Sequence, residues 1–315
     1  MRQIFFTIAI IASLSGAALA QEPFKYRGVA LTAPRMFTQA AEQARIERVK
    51  SNATVKGEKK RDPDVLMLLQ KCVELFPDDI TCGLKFIDAY DGFTKERGFY
   101  GSAADKDAKK YLITALTRIL KTSPNDFTYY RRGMRYFELG QYELAIADFS
   151  ENIRLSRTLG AGDYIVRARA YQAIKKYDPA IADYRKALSI GITKAEAAQG
   201  LINIYLEQDK GEDALSVVNL MIETSGEVKT GWIEERARIY TAMKRYDLAM
   251  KDVDELEKIW QDSAQVPYNR GLVYAAQGER EKAITEFRKA YEKMPYDTRF
   301  KEALERLGVK PGVKP

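Results

Sequence analysis

The sequence predicts an all-α fold built from stacked helix-turn-helix units, and three observations predict it. Ala145, Ala180, Ala214, Ala249 and Ala283 are spaced by 35, 34, 35 and 34 residues, and each is preceded nine positions earlier by a tyrosine: Tyr136, Tyr171, Tyr205, Tyr240 and Tyr274. Four positions after each alanine stands a bulky residue, Phe149, Tyr184, Val218, Val253 or Phe287. Twelve before it the residue is small, Gly133, Ala168, Ala237 or Gly271, with Ile202 the exception. A fixed period in the thirties marks one supersecondary unit that buries its apolar face only by stacking on its neighbours. Small residues where backbones approach and large ones where they interdigitate are what close helix packing requires.

Taken from the start, Met1-Arg2-Gln3 gives a short positive end, Ile4 to Leu14 an apolar run, and Ala18-Leu19-Ala20 a small-x-small site. That is the layout of a cleaved secretory signal over residues 1–20. The run is short of the roughly 20 residues of a membrane span. Cleavage is expected after Ala20, with an uncleaved anchor as the alternative, and the expected location is periplasmic or secreted. Residues 21–61 follow with ten Lys or Arg against four Asp or Glu, while the rest of the chain beyond them balances 40 basic with 40 acidic residues. This basic N-terminal segment, densest in the KGEKKR run from Lys56 to Arg61, is expected to be flexible. Its candidate partners are an anionic lipid or an anionic envelope polymer, and the alternative is a solvated spacer. Thr38 to Lys50 has a thin apolar face, Ala40, Ala41, Ala44 and Ile46, for one helix.

Residues 62–125 carry the pattern in degraded form. A lone second helix is expected over 63–76, a first helix carrying Tyr90 over 80–91, and its partner over 105–122, with an insertion at 93–105 between them. Long turns in repeat arrays gather on one rim and can carry function; the alternative is a tolerated surface insertion. Cys72 and Cys82 flank Pro77 almost symmetrically. They read either as a disulfide, which a loop this short makes worth about 3 kcal/mol at best, or as two buried thiols. The spacing is not CxxC, which argues against a redox catalyst.

Five units fill 126–295. Leu139-Gly140-Gln141, Lys175-Lys176, Asp209-Lys210-Gly211, Lys244-Arg245 and Gln277-Gly278-Glu279 are the short polar turns inside them. The region 296–315 supplies a polar capping helix, Asp297 to Leu307, and a tail.

The stretch Tyr142-Glu143-Leu144-Ala145-Ile146-Ala147-Asp148-Phe149, echoed by Tyr177-Asp178-Pro179-Ala180-Ile181-Ala182-Asp183-Tyr184, resembles the tetratricopeptide repeat family, and the resemblance covers 126–295. It departs from the family at the helix-ending proline, present only as Pro295, and most of all in the 195–228 unit. The resemblance implies a right-handed α-solenoid whose first helices line a concave groove. On this chain it places Tyr130, Met134 and Phe137, then Ile165 and Arg169, then Gln199 and Asn203, then Glu234 and Arg238, then Tyr268 and Leu272 along that groove. Arg169, Asn203 and Arg238 would hold a peptide by a carboxylate or its backbone oxygens, with its side chains on Tyr130 and Tyr268; the alternative is a solvated face. The family's chaperone-tail clamp needs Lys and Asn where this chain has Tyr130, Met134, Val166 and Glu196, so that activity is not expected.

Chemistry is thinly represented. The chain has no histidine, which removes histidine-activated nucleophiles and histidine metal sites together. No phosphate-cradling loop occurs, Gly160-Ala161-Gly162 reads as a turn between units, and Asp88 and Asp91 lack the spacing of a calcium loop. No cofactor, no metal and no nucleic-acid reader motif is expected. The leading reading is a non-enzymatic exported scaffold that holds a protein or peptide, in assembly of an envelope complex. An accessory factor for a cell-surface polymer, acting through residues 21–61, is second, and a hydrolase is last.

Overall fold

The computed structural model describes residues 24–26, 29–52, 63–76, 79–93, 103–191 and 194–310. The expected signal, the KGEKKR run and most of the 93–105 insertion lie outside the described residues. Among those described, the fold is all-α: fifteen α-helices and one short strand pair. Two compact units divide between Arg157 and Thr158.

The first unit opens with β1 (Lys25–Tyr26) antiparallel to β2 (Val29–Ala30) and continues into α1 (Pro34–Asn52). Proline at the first helical position costs nothing there, because that N–H has no intrahelical partner. Part of the segment expected to be flexible over 21–61 is helical and packed into a core. Phe37 is fully buried, and Ala41 and Ala44 nearly so. The Phe37 ring stacks on Phe24 at 5.7 Å and meets Phe76 edge-on at 5.9 Å. The apolar stripe is narrow, but a phenylalanine with alanines one and two turns later lets the helix approach closely and still bury a large ring. A helix read from Thr38 onward omits the one residue that anchors it.

Helix α1 packs on α2 (Pro63–Leu75) and more lightly on α3 (Ile80–Phe93). The lone second helix expected at 63–76 therefore has a partner. Asp79 caps α3 by accepting the Cys82 N–H at 2.8 Å. Cys72 and Cys82 are fully buried and within bonding reach, with Cα atoms 5.7 Å apart. Helix α4 (Ala103–Thr122) meets α3 where Gly83 faces Ala115, and α5 (Asp126–Glu138) with α6 (Tyr142–Leu155) completes the unit.

The second unit holds α7 (Ala161–Ala173) with α8 (Tyr177–Ile190), α9 (Lys194–Glu207) with α10 (Gly211–Thr224), α11 (Thr230–Ala242) with α12 (Tyr246–Ile259), and α13 (Gln265–Gln277) with α14 (Arg280–Lys293). Helix α15 (Thr298–Arg306) closes it, burying Phe300 and Leu304 against α13 and α14.

The sequence lattice maps onto this architecture residue by residue. All five lattice alanines are fully buried. A Cβ added at Gly133 would lie 2.8 Å from the Phe149 ring, and one at Gly271 would lie 2.6 Å from Phe287, so small and bulky positions sixteen apart are the two sides of one contact. In the α9/α10 hairpin that pair becomes Ile202 and Val218, both fully buried: volume lost on one helix is returned on the other.

Each hairpin turn carries one left-handed residue, Gly140, Lys175, Asp209, Lys244 or Gly278, with φ of 74°, 57°, 57°, 58° and 81°. The N–H that follows donates back to the lattice tyrosine's carbonyl, from Gln141 to Tyr136 and from Arg245 to Tyr240 for example, at 2.9 and 2.8 Å. This six-residue closure ends the first helix and reverses the chain. The tyrosine lattice is thus also a lattice of helix ends.

One further regularity ties the two helices of a hairpin. Arg132 pairs with Asp148, Arg167 with Asp183 and Arg236 with Asp252, each through two guanidinium nitrogens, with closest distances of 2.7, 2.7 and 2.6 Å. The hydrogen-bonded aspartate holds each guanidinium above its ordinary pKa, against the opposing effect of burial. At Asp252 burial prevails and pushes the carboxyl up. Leu201 and Val217, both buried, replace this pair in the α9/α10 hairpin.

Candidate functional site

The first helices of the second unit expose one residue each at the same lattice position, eleven before the alanine: Arg169 on α7, Asn203 on α9, Arg238 on α11 and Leu272 on α13. The reason is helical phase. The adjacent positions Ala168, Ala170, Ile202, Ile204, Ala237, Ile239, Gly271 and Val273 are buried, so what stands between them points away from the core.

The next turn toward the N-terminus adds side chains that link successive first helices. Gln199 on α9 donates to Glu235 on α11 at 3.1 Å, and Gln265 on α13 donates to Glu234 on α11 and to Asn269 at 3.2 Å. Asn269 is buried, and its Nδ2 has no hydrogen-bond partner among the described residues. This face is a polar ladder laid over an apolar core.

The two arginines expected to receive a ligand carboxylate already hold carboxylates. Arg169 pairs with Glu196 at 2.6 Å and Arg238 with Glu235 at 2.5 Å. Burial pushes the Glu235 carboxyl up, but hydrogen bonds from Arg238 and Gln199 outweigh it and hold it below the usual range. An incoming carboxylate must displace a glutamate at either arginine. Ile165 is 2 % exposed and faces the core, so its placement along the groove is corrected: its neighbour Val166 is the half-buried residue of that turn. Tyr268 is half-buried, its ring 4.9 Å from Phe300 and 5.7 Å from Phe287, and much of it is packing rather than free surface.

In the first unit Tyr130, Met134 and Phe137 lie on α5 and are half-buried. The Tyr130 ring is 6.1 Å from Phe149, and Phe137 meets Tyr142 edge-on at 5.4 Å.

Near the end of the second unit a shallow open cleft of about 530 Å³ is lined by Glu234, the Trp260-Gln261-Asp262-Ser263 turn, Gln265 and Arg299. The sequence reading reached only Glu234 of this set. Trp260 follows the last residue of α12, and Arg299 belongs to the cap, so neither stands at a repeating position that would have flagged it. Glu235 and Asn269 share one lattice position, fourteen before the alanine, a row adjacent to the one that was read.

A chain of helical hairpins in fixed register, each exposing one first-helix residue, defines an α-helical repeat protein. Residues 128–158, 164–190 and 264–292 match the tetratricopeptide repeat model, and the chain carries tetratricopeptide repeats. Among solved structures, it is similar to the C-terminal part of a TPR repeat-containing protein from Cytophaga hutchinsonii, at 17 % identity over 64 % of this chain and 81 % of that one, with a TM-score of 0.53. A tetratricopeptide repeat protein from Parabacteroides merdae is aligned at 17 % identity over 86 % of this chain and 99 % of that one, with a TM-score of 0.48.

Proposed function

We propose that this protein is a non-enzymatic, exported scaffold that holds a protein or peptide along the exposed first-helix face of its repeats, in the assembly of an envelope complex. The observation that carries the reading is the row Arg169, Asn203, Arg238 and Leu272, four exposed side chains at one lattice position on the first helices of successive hairpins. Repeats of this kind stack into surfaces on which partners lie, and here polar side chains cross-link neighbouring helices beneath the row. A preordered face loses less side-chain freedom on binding than a mobile one.

Export is supported by the signal-like start of the sequence and by two buried cysteines within bonding reach, a pairing that persists in an oxidising compartment. Thiol titration of the denatured, unreduced protein is expected to find no free thiol; two free thiols would remove that support. The polymer-binding reading of residues 21–61 is weakened because α1 packs part of that segment into a core.

The test is capture. The full chain, crosslinked in its native envelope, is expected to retain a recurrent protein that the Arg169→Glu, Arg238→Glu double variant loses, with helicity unchanged. Undiminished capture by the double variant would sink the reading.

A further inference from the structure

We propose that the cleft at the C-terminal end of the second unit takes a basic side chain, an arginine or lysine, of the peptide held along the first-helix face. The proposal rests on the scaffold reading and reverses the sign expected of the ligand, because the charges on that face are unequally compensated.

Arg169 and Arg238 are each neutralised by a glutamate at 2.6 and 2.5 Å. Arg299, the cation in the cleft wall, is held by Asp297 through two nitrogens, the nearer at 2.6 Å, and its guanidinium lies over the Tyr268 and Phe300 rings at 5.8 and 5.5 Å. Asp262 is paired with Lys293 at 3.3 Å. Glu234 is different. It is half-buried, its hydrogen-bond partner is the neutral amide of Gln265, and no basic side chain among the described residues lies within ion-pair distance of it. Arg299 in the cleft wall acts on Glu234 only through space, being engaged by Asp297, so the lining of Glu234, Asp262 and Arg299 keeps a net negative charge.

The rest of the wall suits the same guest. Trp260 presents an indole that is partly buried against the α11–α12 core, so its position is fixed, and indole faces attract guanidinium and ammonium groups. Gln261 and Ser263, whose hydroxyl accepts the Gln265 N–H, add side-chain oxygens to the lining. A carboxylate beside an aromatic face with acceptors around it matches a planar cation, for which a carboxylate also offers two-point hydrogen bonding. An acidic guest would meet Glu234 head-on. A purely apolar guest would bury that carboxylate without a counter-charge, which is costly.

The test titrates the full, isotope-labelled chain with three acetylated, amidated heptapeptide pools. Their central residue is arginine, citrulline or glutamate, and their flanks are randomised among uncharged residues. The Trp260 indole N–H and the backbone amides of Glu234 and Gln265 report on the cleft; those of Arg169, Asn203, Arg238 and Leu272 report on the face. The expected result is saturable shifts at the cleft with the arginine pool, weakened about tenfold or more by exchange of arginine for citrulline, by Glu234→Gln, or by raising salt from low to molar concentration. Citrulline keeps the shape and loses the charge, so this arm does not depend on how the protein tolerates a substitution.

Shifts along the face with all three pools to equal extent would overturn the basic-guest proposal while leaving the scaffold reading intact. A preference for the glutamate pool would overturn it in favour of displaced glutamates at Arg169 and Arg238. No shift at either place with any pool would overturn this proposal together with peptide capture on that face.

Discussion

The α7/α8 and α9/α10 hairpins differ by one residue in length and share the same left-handed turn, yet they are held together by opposite means. In the first, Arg167 and Asp183 form a two-point ion pair with side chains 19 % and 8 % exposed. In the second, Leu201 and Val217 stand at the same lattice positions and are simply buried. The geometry of the hairpin therefore does not need the charge. The lattice alanine, the complementary volumes sixteen residues apart and the left-handed turn are common to both, and they suffice. A buried ion pair recovers in Coulomb energy about what its desolvation costs, and an apolar pair of similar volume does as well or better.

The largest expected effect breaks one charge out of a pair. Arg236→Ala leaves Asp252 buried without its cation, and a loss of about 3–5 kcal/mol is expected, read by denaturant unfolding of the variant beside the parent protein. A change below about 1 kcal/mol would show that the pair is dispensable even when half of it remains.

Next comes the transplant, Arg167→Leu with Asp183→Val, which gives α7/α8 the apolar pair of its neighbour. It is expected to be neutral or to stabilise by about 1–4 kcal/mol, whereas either single change destabilises. A double variant as unstable as the Asp-only single variant would contradict the equivalence of the two hairpins.

Lys175, Asp209 and Lys244 adopt the left-handed conformation that glycine supplies at Gly140 and Gly278. Replacing any of the three by glycine is expected to stabilise by up to about 1 kcal/mol, since a side chain there carries a steric cost of about 1–2 kcal/mol that glycine's greater chain entropy only partly cancels. Gly140→Ala is expected to move stability the other way. A melting temperature that falls with all three glycines would remove this account of the turns.

The smallest effect concerns Tyr184, which packs beside Gly200 at the meeting of the same two hairpins and is 2 % exposed. Burial pushes its phenol up to about 12. Its folded pKa is raised, so the stability it contributes is complete below the ordinary tyrosine value and is lost as pH climbs from about 10 toward 12, where the unfolded chain ionises first. Tyr184→Phe is expected to flatten that part of the stability profile, measured against the parent across the same range.

Much of the fold was legible because the signal was internal repetition. Five alanines with five tyrosines in register fixed the hairpins and their turns, and the capping helix showed through its position after Pro295. Helix α1 was only half legible. Its stripe of Phe37, Ala41 and Ala44 is too narrow to stand out from composition, and the net charge of 21–61 pointed to a solvated segment. Of the candidate site, the exposed row could be read from register alone, since exposure follows from helical phase. Ile165 could not, because an apolar residue one turn away from that row is core or surface according to what lies across from it.

The repeat, its register, the buried alanines and the positions of the turns were all written in the amino-acid order, because they are local periodicities set by the pitch of a helix and the reach of a side chain. Tertiary structure alone decided the pairings between elements: that Arg169 on α7 carries Glu196 of α9, that Gln199 and Gln265 reach across to α11, and that Glu234, which shares the cleft with Trp260, has no ion-pair partner among the described residues. The reason is physical. Whether a charged side chain is a binding group or a structural one depends on the group across from it, and where that group stands on another helix, as Glu196 does for Arg169, periodicity along one helix carries no information about it.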